Sequence, residues 1–144
     1  MKIEIFDLGL APYKEAWDFQ KTVFARVKAG EIPSALILCR HLPVITLGRR
    51  ADEKNILADK DELTGKKIEL FRVERGGDVT YHGPGQLTVY PIFNLKYFKK
   101  DIHWFLRYLE NITVEFLSSF GVKAEVRPGL TGVWVGQEKI ASIG

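Results

Sequence analysis

Side chains able to hold a ligand or move a proton are concentrated in one stretch, Arg75-Gly76-Gly77-Asp78-Val79-Thr80-Tyr81-His82-Gly83-Pro84-Gly85-Gln86. Four of these twelve residues are glycine, which lets the main chain turn sharply and lets another molecule approach it closely. Gly76-Gly77 and Gly83-Pro84-Gly85 read as two tight bends framing Asp78–His82. Within that frame Val79 and Tyr81 alternate with Asp78, Thr80 and His82, giving one apolar and one polar edge. A wall of this kind suits a ligand with an apolar body and a polar end. The competing reading is a plain hairpin whose glycines only make turns. The spacing is not that of a phosphate loop, since no Gly-x-Gly-x-x-Gly opens a helix and no Gly-Lys-Ser/Thr is present.

Other reactive residue types are scattered. Cys39 closes the apolar run Ala35–Cys39 and reads as an inert core thiol, because a reactive one needs an electropositive, partly open setting. His41 and His103 read as surface or turn residues. Lys139 enters the apolar stretch Ile140–Gly144 and leaves two readings open: an ammonium snorkelling to the surface, or a buried amine of lowered pKa able to act as acid or base. No cluster of Cys, His, Asp and Glu has metal-ligand spacing, so neither a metal nor another cofactor is expected.

These groups are carried by a chain whose 144 residues fit one domain, with globular apolar and charged fractions of 46% and 27%. No apolar run is long enough to span a membrane. The opening MKIEIFDLGL alternates like a strand and is too short and acidic for a secretory leader. One cysteine excludes an internal disulfide and fits a reducing, cytoplasmic setting. The net charge of +3 is spread over pairs such as Arg49-Arg50, Lys66-Lys67 and Lys99-Lys100. They read either as solvated surface or as a patch steering an acidic protein; no nucleic-acid motif accompanies them.

The positioning elements follow from periodicity. Lys2–Asp7 is expected as a strand, and Pro12 opens a helix that Gly30 closes. That helix would bury Ala16, Trp17, Gln20, Val23, Phe24 and Val27. Strands are expected at Ala35–Cys39, Val44–Leu47, Ile68–Val73 and Leu87–Phe93, with helical turns at Asp52–Leu57 and Asp59–Thr64. Asp101 caps a helix to about Phe120, stopped by Gly121. Its core face would be Ile102, Phe105, Leu106, Leu109, Ile112, Phe116, Leu117 and Phe120. Val122–Val126, Val133–Val135 and the Lys139 stretch complete the strands. The order predicts an α/β (α+β) fold, a mixed sheet covered by helices.

The segment Arg75–Gln86 followed by Tyr90-Pro91-Ile92 resembles the signature of the lipoyl(octanoyl) transferases. His41–Arg49 and Gly132–Val135 with Lys139–Gly144 resemble two further stretches of that family. The resemblance implies the catalytic domain shared with biotin and lipoate protein ligases. It also implies transfer of octanoyl from acyl carrier protein, an acidic donor, to a lysine of lipoyl domains in 2-oxoacid dehydrogenases and the glycine cleavage H protein. By position, Arg75, Gly76, Gly77, Asp78, Val79, Thr80, Tyr81 and His82 would line the acyl pocket with Ser142, Ile143 and Gly144. Lys139 would lower the pKa of a catalytic cysteine. That family's nucleophilic cysteine lies downstream of the lysine strand, and Cys39 does not match it. A truncated catalytic domain, unable to form the acyl-enzyme by itself, is therefore expected. Two alternatives are an ATP-dependent lipoate or biotin ligase and a non-catalytic acyl-binding fragment.

Overall fold

The computed structural model describes residues 2–144, which divide into two units, the first running to Asn94 and the second starting at Leu95. The first unit is built on two three-stranded sheets. Strand β1 (Glu4–Ala11) leads through helix α1 (Tyr13–Ala29) to β2 (Ser34–His41), a parallel crossover. Strand β6 (Thr88–Phe93) pairs antiparallel on the other side of β2. The second sheet has β3 (Val44–Leu47) at its centre, with β4 (Glu69–Arg72) parallel and β5 (Val79–His82) antiparallel to it. A 3-10 turn at Glu53–Asn55 and the short helix α2 (Lys60–Gly65) connect β3 to β4. Both begin at an aspartate, Asp52 and Asp59, whose carboxylate accepts a backbone N–H of the first turn.

Helix α1 starts after Pro12 and ends at Gly30, which takes a left-handed φ of 80°. It buries Tyr13, Ala16, Val23 and Val27. Val23 and Val27 pack with Ile32, Ala35 and Ile37, joined by Phe6 and Phe19. Phe24, expected inside, is 58% exposed. Phe19 takes its place, edge-on to Phe6 with ring centroids 5.3 Å apart. Strand β1 continues four residues past the expected Asp7 through a bulge, where Gly9 N–H donates to Asp7 Oδ1 at 2.9 Å.

In the second unit, helix α3 (Ile102–Ser118) begins at Asp101, whose carboxylate accepts the Trp104 N–H at 3.0 Å. Strands β7 (Val133–Val135) and β8 (Glu138–Ala141) form a hairpin, and α3 packs on β7. Two expectations change here. Val122–Val126 is not a strand; Glu125 alone bridges Trp134. The apolar face of α3 is largely open, with Ile102, Phe116 and Phe120 exposed, and its one fully buried residue is a charge, Glu110. Among the described residues no helix is long and apolar enough to cross a membrane.

Candidate active site

The glycine-rich segment is anchored to β3 from both sides. Register sets Leu47 opposite Val79, Thr46 opposite Thr80 and Val44 opposite His82. Period-two alternation then sends Val79 into the cluster of Ile45, Leu47 and Leu63, while Thr46, Thr80 and His82 share the opposite face. The expected division into an apolar and a polar edge holds for Val79, Thr80 and His82. Tyr81 differs: it is half exposed and its ring lies over Gly83, where a Cβ would stand 2.4 Å from the phenol oxygen.

Two of the expected binding side chains are turned inward on the chain itself. Arg75 donates from Nε and Nη2 to Thr46 Oγ1 at 3.2 and 2.9 Å, and from Nη2 to Thr46 O at 2.7 Å. Asp78 accepts the Asp52 N–H at 3.0 Å and the Asn55 side-chain amide. Between them the backbone comes close to the end of β3: Gly48 N–H donates to Asp78 O and Arg49 N–H to Arg75 O, both at 3.0 Å. Only a glycine fits at 48, since a Cβ there would lie 2.5 Å from Gly77 O. Gly77 itself has φ 87°, a conformation that favours glycine. Gly76 is exposed at the bend.

Facing His82 is a buried polar group that no spacing in the sequence assembles. Tyr13, at the first turn of α1, has its ring 5.1 Å from those of His41 and Phe71 and 6.3 Å from that of His82. His41, expected from sequence as a surface or turn residue, is fully buried at the end of β2. Its Nδ1 lies 3.3 Å from Ala11 O and its Nε2 2.7 Å from the Tyr90 hydroxyl. A carbonyl only accepts, so Nδ1 carries the proton. In the neutral ring Nε2 then accepts from Tyr90 O–H, with Cys39 Sγ 3.4 Å away. Burial lowers the pKa of His41 and of His82, and raises those of Tyr13 and Tyr90. Each group is thereby held neutral. His82 Nδ1 donates to Gln86 Oε1 at 2.6 Å, so its Nε2 is the basic nitrogen.

Cys39 is inert, as its place in the strand suggested. It is 1% exposed, and burial pushes its thiol up to about 11. A cleft of about 220 Å³ lies at the end of β1 and β2, lined by Leu10, Arg40, His41, Leu42, Pro43, Pro84 and Gly85. None of Arg75–His82 lines it. Among the described residues no group of His, Cys, Asp and Glu has the arrangement of a metal site.

The remaining candidates belong to the second unit. Lys139 is exposed, which decides between the two readings of its burial. Its ammonium donates to Thr131 O at 2.9 Å and stands 4.8 Å above the centre of the Trp134 ring. Ser142 and Gly144 are exposed and Ile143 is partly covered, in the segment after β8.

Residues 12–144 match the lipoyl protein ligase A/B catalytic domain, and the chain belongs to that family. Among curated proteins it is 48% identical over 141 residues to the octanoyltransferase of Gloeobacter violaceus, covering 97% of this chain and 61% of that protein. It is 49% identical over 144 residues to an octanoyltransferase of Thermoanaerobacter sp., covering 99% of this chain and 63% of that one. The chain thus spans about three fifths of the length of these relatives. Solved structures agree on the fold. A lipoate-protein ligase A bound with ATP superposes with a TM-score of 0.69 at 19% identity, over 97% of this chain and 59% of that one. The bi-partite lipoate protein ligase of Thermoplasma acidophilum gives a TM-score of 0.69 at 19% identity, over 96% and 53%.

Proposed function

We propose that the protein to which this chain belongs transfers octanoyl groups from acyl carrier protein to a lysine of lipoyl domains, through a cysteine thioester. The observation that carries this reading is near-half identity, across almost the whole chain, to proteins that are octanoyltransferases. The glycine-rich segment suits acyl binding. Arg75 and Asp78 brace it internally, leaving its backbone and the Thr80–His82 face for an acyl group with a polar end. In this reading the acyl group approaches the main chain at Gly76 and Gly77, beside Thr80 and His82.

Cys39, buried and held protonated, is not the nucleophile. The reading assigns that role to a cysteine in the further length that the relatives possess. Its thiolate attacks the donor thioester carbonyl and expels the carrier thiolate. The neutral amine of the acceptor lysine then displaces the cysteine as thiolate, and the proton the amine loses balances the one the carrier takes up as a thiol. The ammonium of Lys139 favours the thiolate by charge. The exposed pair Lys99 and Lys100 is assigned to docking the acidic carrier, so charge reversal there should weaken donor binding.

The deciding experiment incubates the whole protein with octanoyl-acyl carrier protein and records its intact mass, then adds lipoyl domain. A hydroxylamine-labile octanoyl adduct that passes to the lipoyl domain, and fails to form in Lys139→Ala, is expected. Modification of the lipoyl domain only with lipoate and ATP, with release of pyrophosphate, would overturn the reading in favour of a ligase.

A further inference from the structure

Helix α3 buries a charge that its expected apolar face did not include. Glu110 is 0% exposed, and a carboxylate so placed is costly unless its oxygens are paired. Oε1 accepts the Gly132 N–H at 2.8 Å, and Oε2 lies 2.7 Å from Arg107 Nη1, an ion pair outside hydrogen-bond angles. Gly132 N–H and Thr131 C=O belong to one planar peptide unit and point in opposite directions. The Thr131 oxygen is the atom that accepts from Lys139 Nζ at 2.9 Å. A carboxylate therefore grips the positive end of a peptide dipole and an ammonium its negative end. In that arrangement each hydrogen bond polarises the peptide so as to strengthen the other.

The backbone is shaped to allow it. Gly132 has φ 125°, and a Cβ there would lie 2.6 Å from Ala141 O and 3.0 Å from Lys139 Cε. The glycine thus clears the space in which the lysine stem lies across the peptide. A purely structural role for Glu110 would require its carboxylate to satisfy the Gly132 N–H. It would not require the same peptide to end on the ammonium.

We infer that Glu110 is a positioning residue for Lys139, setting the place of its ammonium through the Thr131–Gly132 peptide. The inference deepens the proposed transferase reading, which gives Lys139 its role beside the thiolate, but the placement itself can be measured without any substrate.

In the whole protein, the rate at which Lys139 is reductively methylated is compared with that of exposed Lys60, while NMR follows the Gly132 amide. In the native protein the Gly132 amide is expected to be protected from exchange and Lys139 to react more slowly than Lys60. Glu110→Ala should expose the amide and raise Lys139 reactivity about threefold, since the lysine's own hydrogen bond to Thr131 loses its cooperative support rather than being broken. Glu110→Gln keeps an acceptor oxygen and should restore most of the slow reaction, with Arg107 swinging to solvent. Should Glu110→Ala not fold, a coupling across the hydrogen bond from Gly132 15N to Glu110 13Cδ in the native protein decides the first link. A corresponding coupling from Lys139 15Nζ to Thr131 13C′ decides the second. Unchanged Lys139 reactivity in folded Glu110→Ala, or absence of either coupling, would overturn the inference. Loss of octanoyl transfer is scored separately, so positioning and transfer can fail independently.

Discussion

Arg75 reaches from the glycine-rich segment to the middle of β3 and places three hydrogen bonds on Thr46, two on the hydroxyl and one on the carbonyl. The guanidinium here is a strut, and its fork geometry is what lets one side chain meet both acceptors. Lysine has no such fork. Arg75→Lys should lower stability by about 2 kcal/mol, and Thr46→Val, which leaves the carbonyl in place, by about 1 kcal/mol. Denaturant unfolding of the two single variants and the double variant measures both costs. The pair is uncoupled if the single costs simply add.

Two glycines in crowded places should respond very differently to alanine. At Gly48 the obstruction is a backbone oxygen, Gly77 O at 2.5 Å, held by its own hydrogen bond to Arg50 N–H. At Gly83 it is the half-exposed ring of Tyr81, which can swing away. Gly48→Ala should cost about 2 kcal/mol or more and Gly83→Ala less than about 0.5 kcal/mol, as unfolding midpoints will show. Equal costs would mean that Tyr81 is as fixed as the backbone.

The buried imidazoles make stability depend on pH. Burial lowers the folded-state pKa of both His41 and His82 below the ordinary value of 6.5. In the window between the lowered and the ordinary value the unfolded chain binds more protons, so stability rises with pH there. Their contribution is complete above 6.5 and is lost as the pH falls through the folded values. Unfolding free energies measured from about pH 7 down to about pH 5 should fall, with a smaller fall in His82→Asn.

Much of this architecture follows from local pattern, and the exceptions have physical causes. Val44–Leu47 is apolar but for Thr46, and all four residues are buried. Pro12 and Gly30 bound α1 where their fixed and permissive backbones require. His41 misleads because a proline two residues on suggests a turn. The chain in fact pairs through Ala11↔His41 before turning, which only the partner strand decides. Glu110 is hidden for a similar reason: a carboxylate on a helix reads as outward until its acceptor role toward Gly132, 22 residues away, is known. Tyr13 and Tyr90 carry no local sign of meeting His41, since α1 and β6 approach it from opposite ends of the first unit's sequence.

Cys39 supplies a contrasting prediction about reactivity. With its pKa at about 11, the thiolate at pH 8 is about one part in a thousand, against roughly a quarter for a free cysteine. Native protein should therefore leave Cys39 unmodified by a disulfide reagent that labels it at once in denaturant. Rapid labelling in the native state would show that β2 opens.

The indole of Trp134, almost wholly buried, has two cations over its ring, Lys139 Nζ at 4.8 Å and the Arg127 guanidinium at 5.6 Å. Indole emission shifts with the electric field across the ring, and the ammonium of Lys139 is the nearer of the two cations. Whatever discharges or displaces that ammonium should therefore change the colour of Trp134 fluorescence, giving the protein a built-in optical gauge of its own lysine.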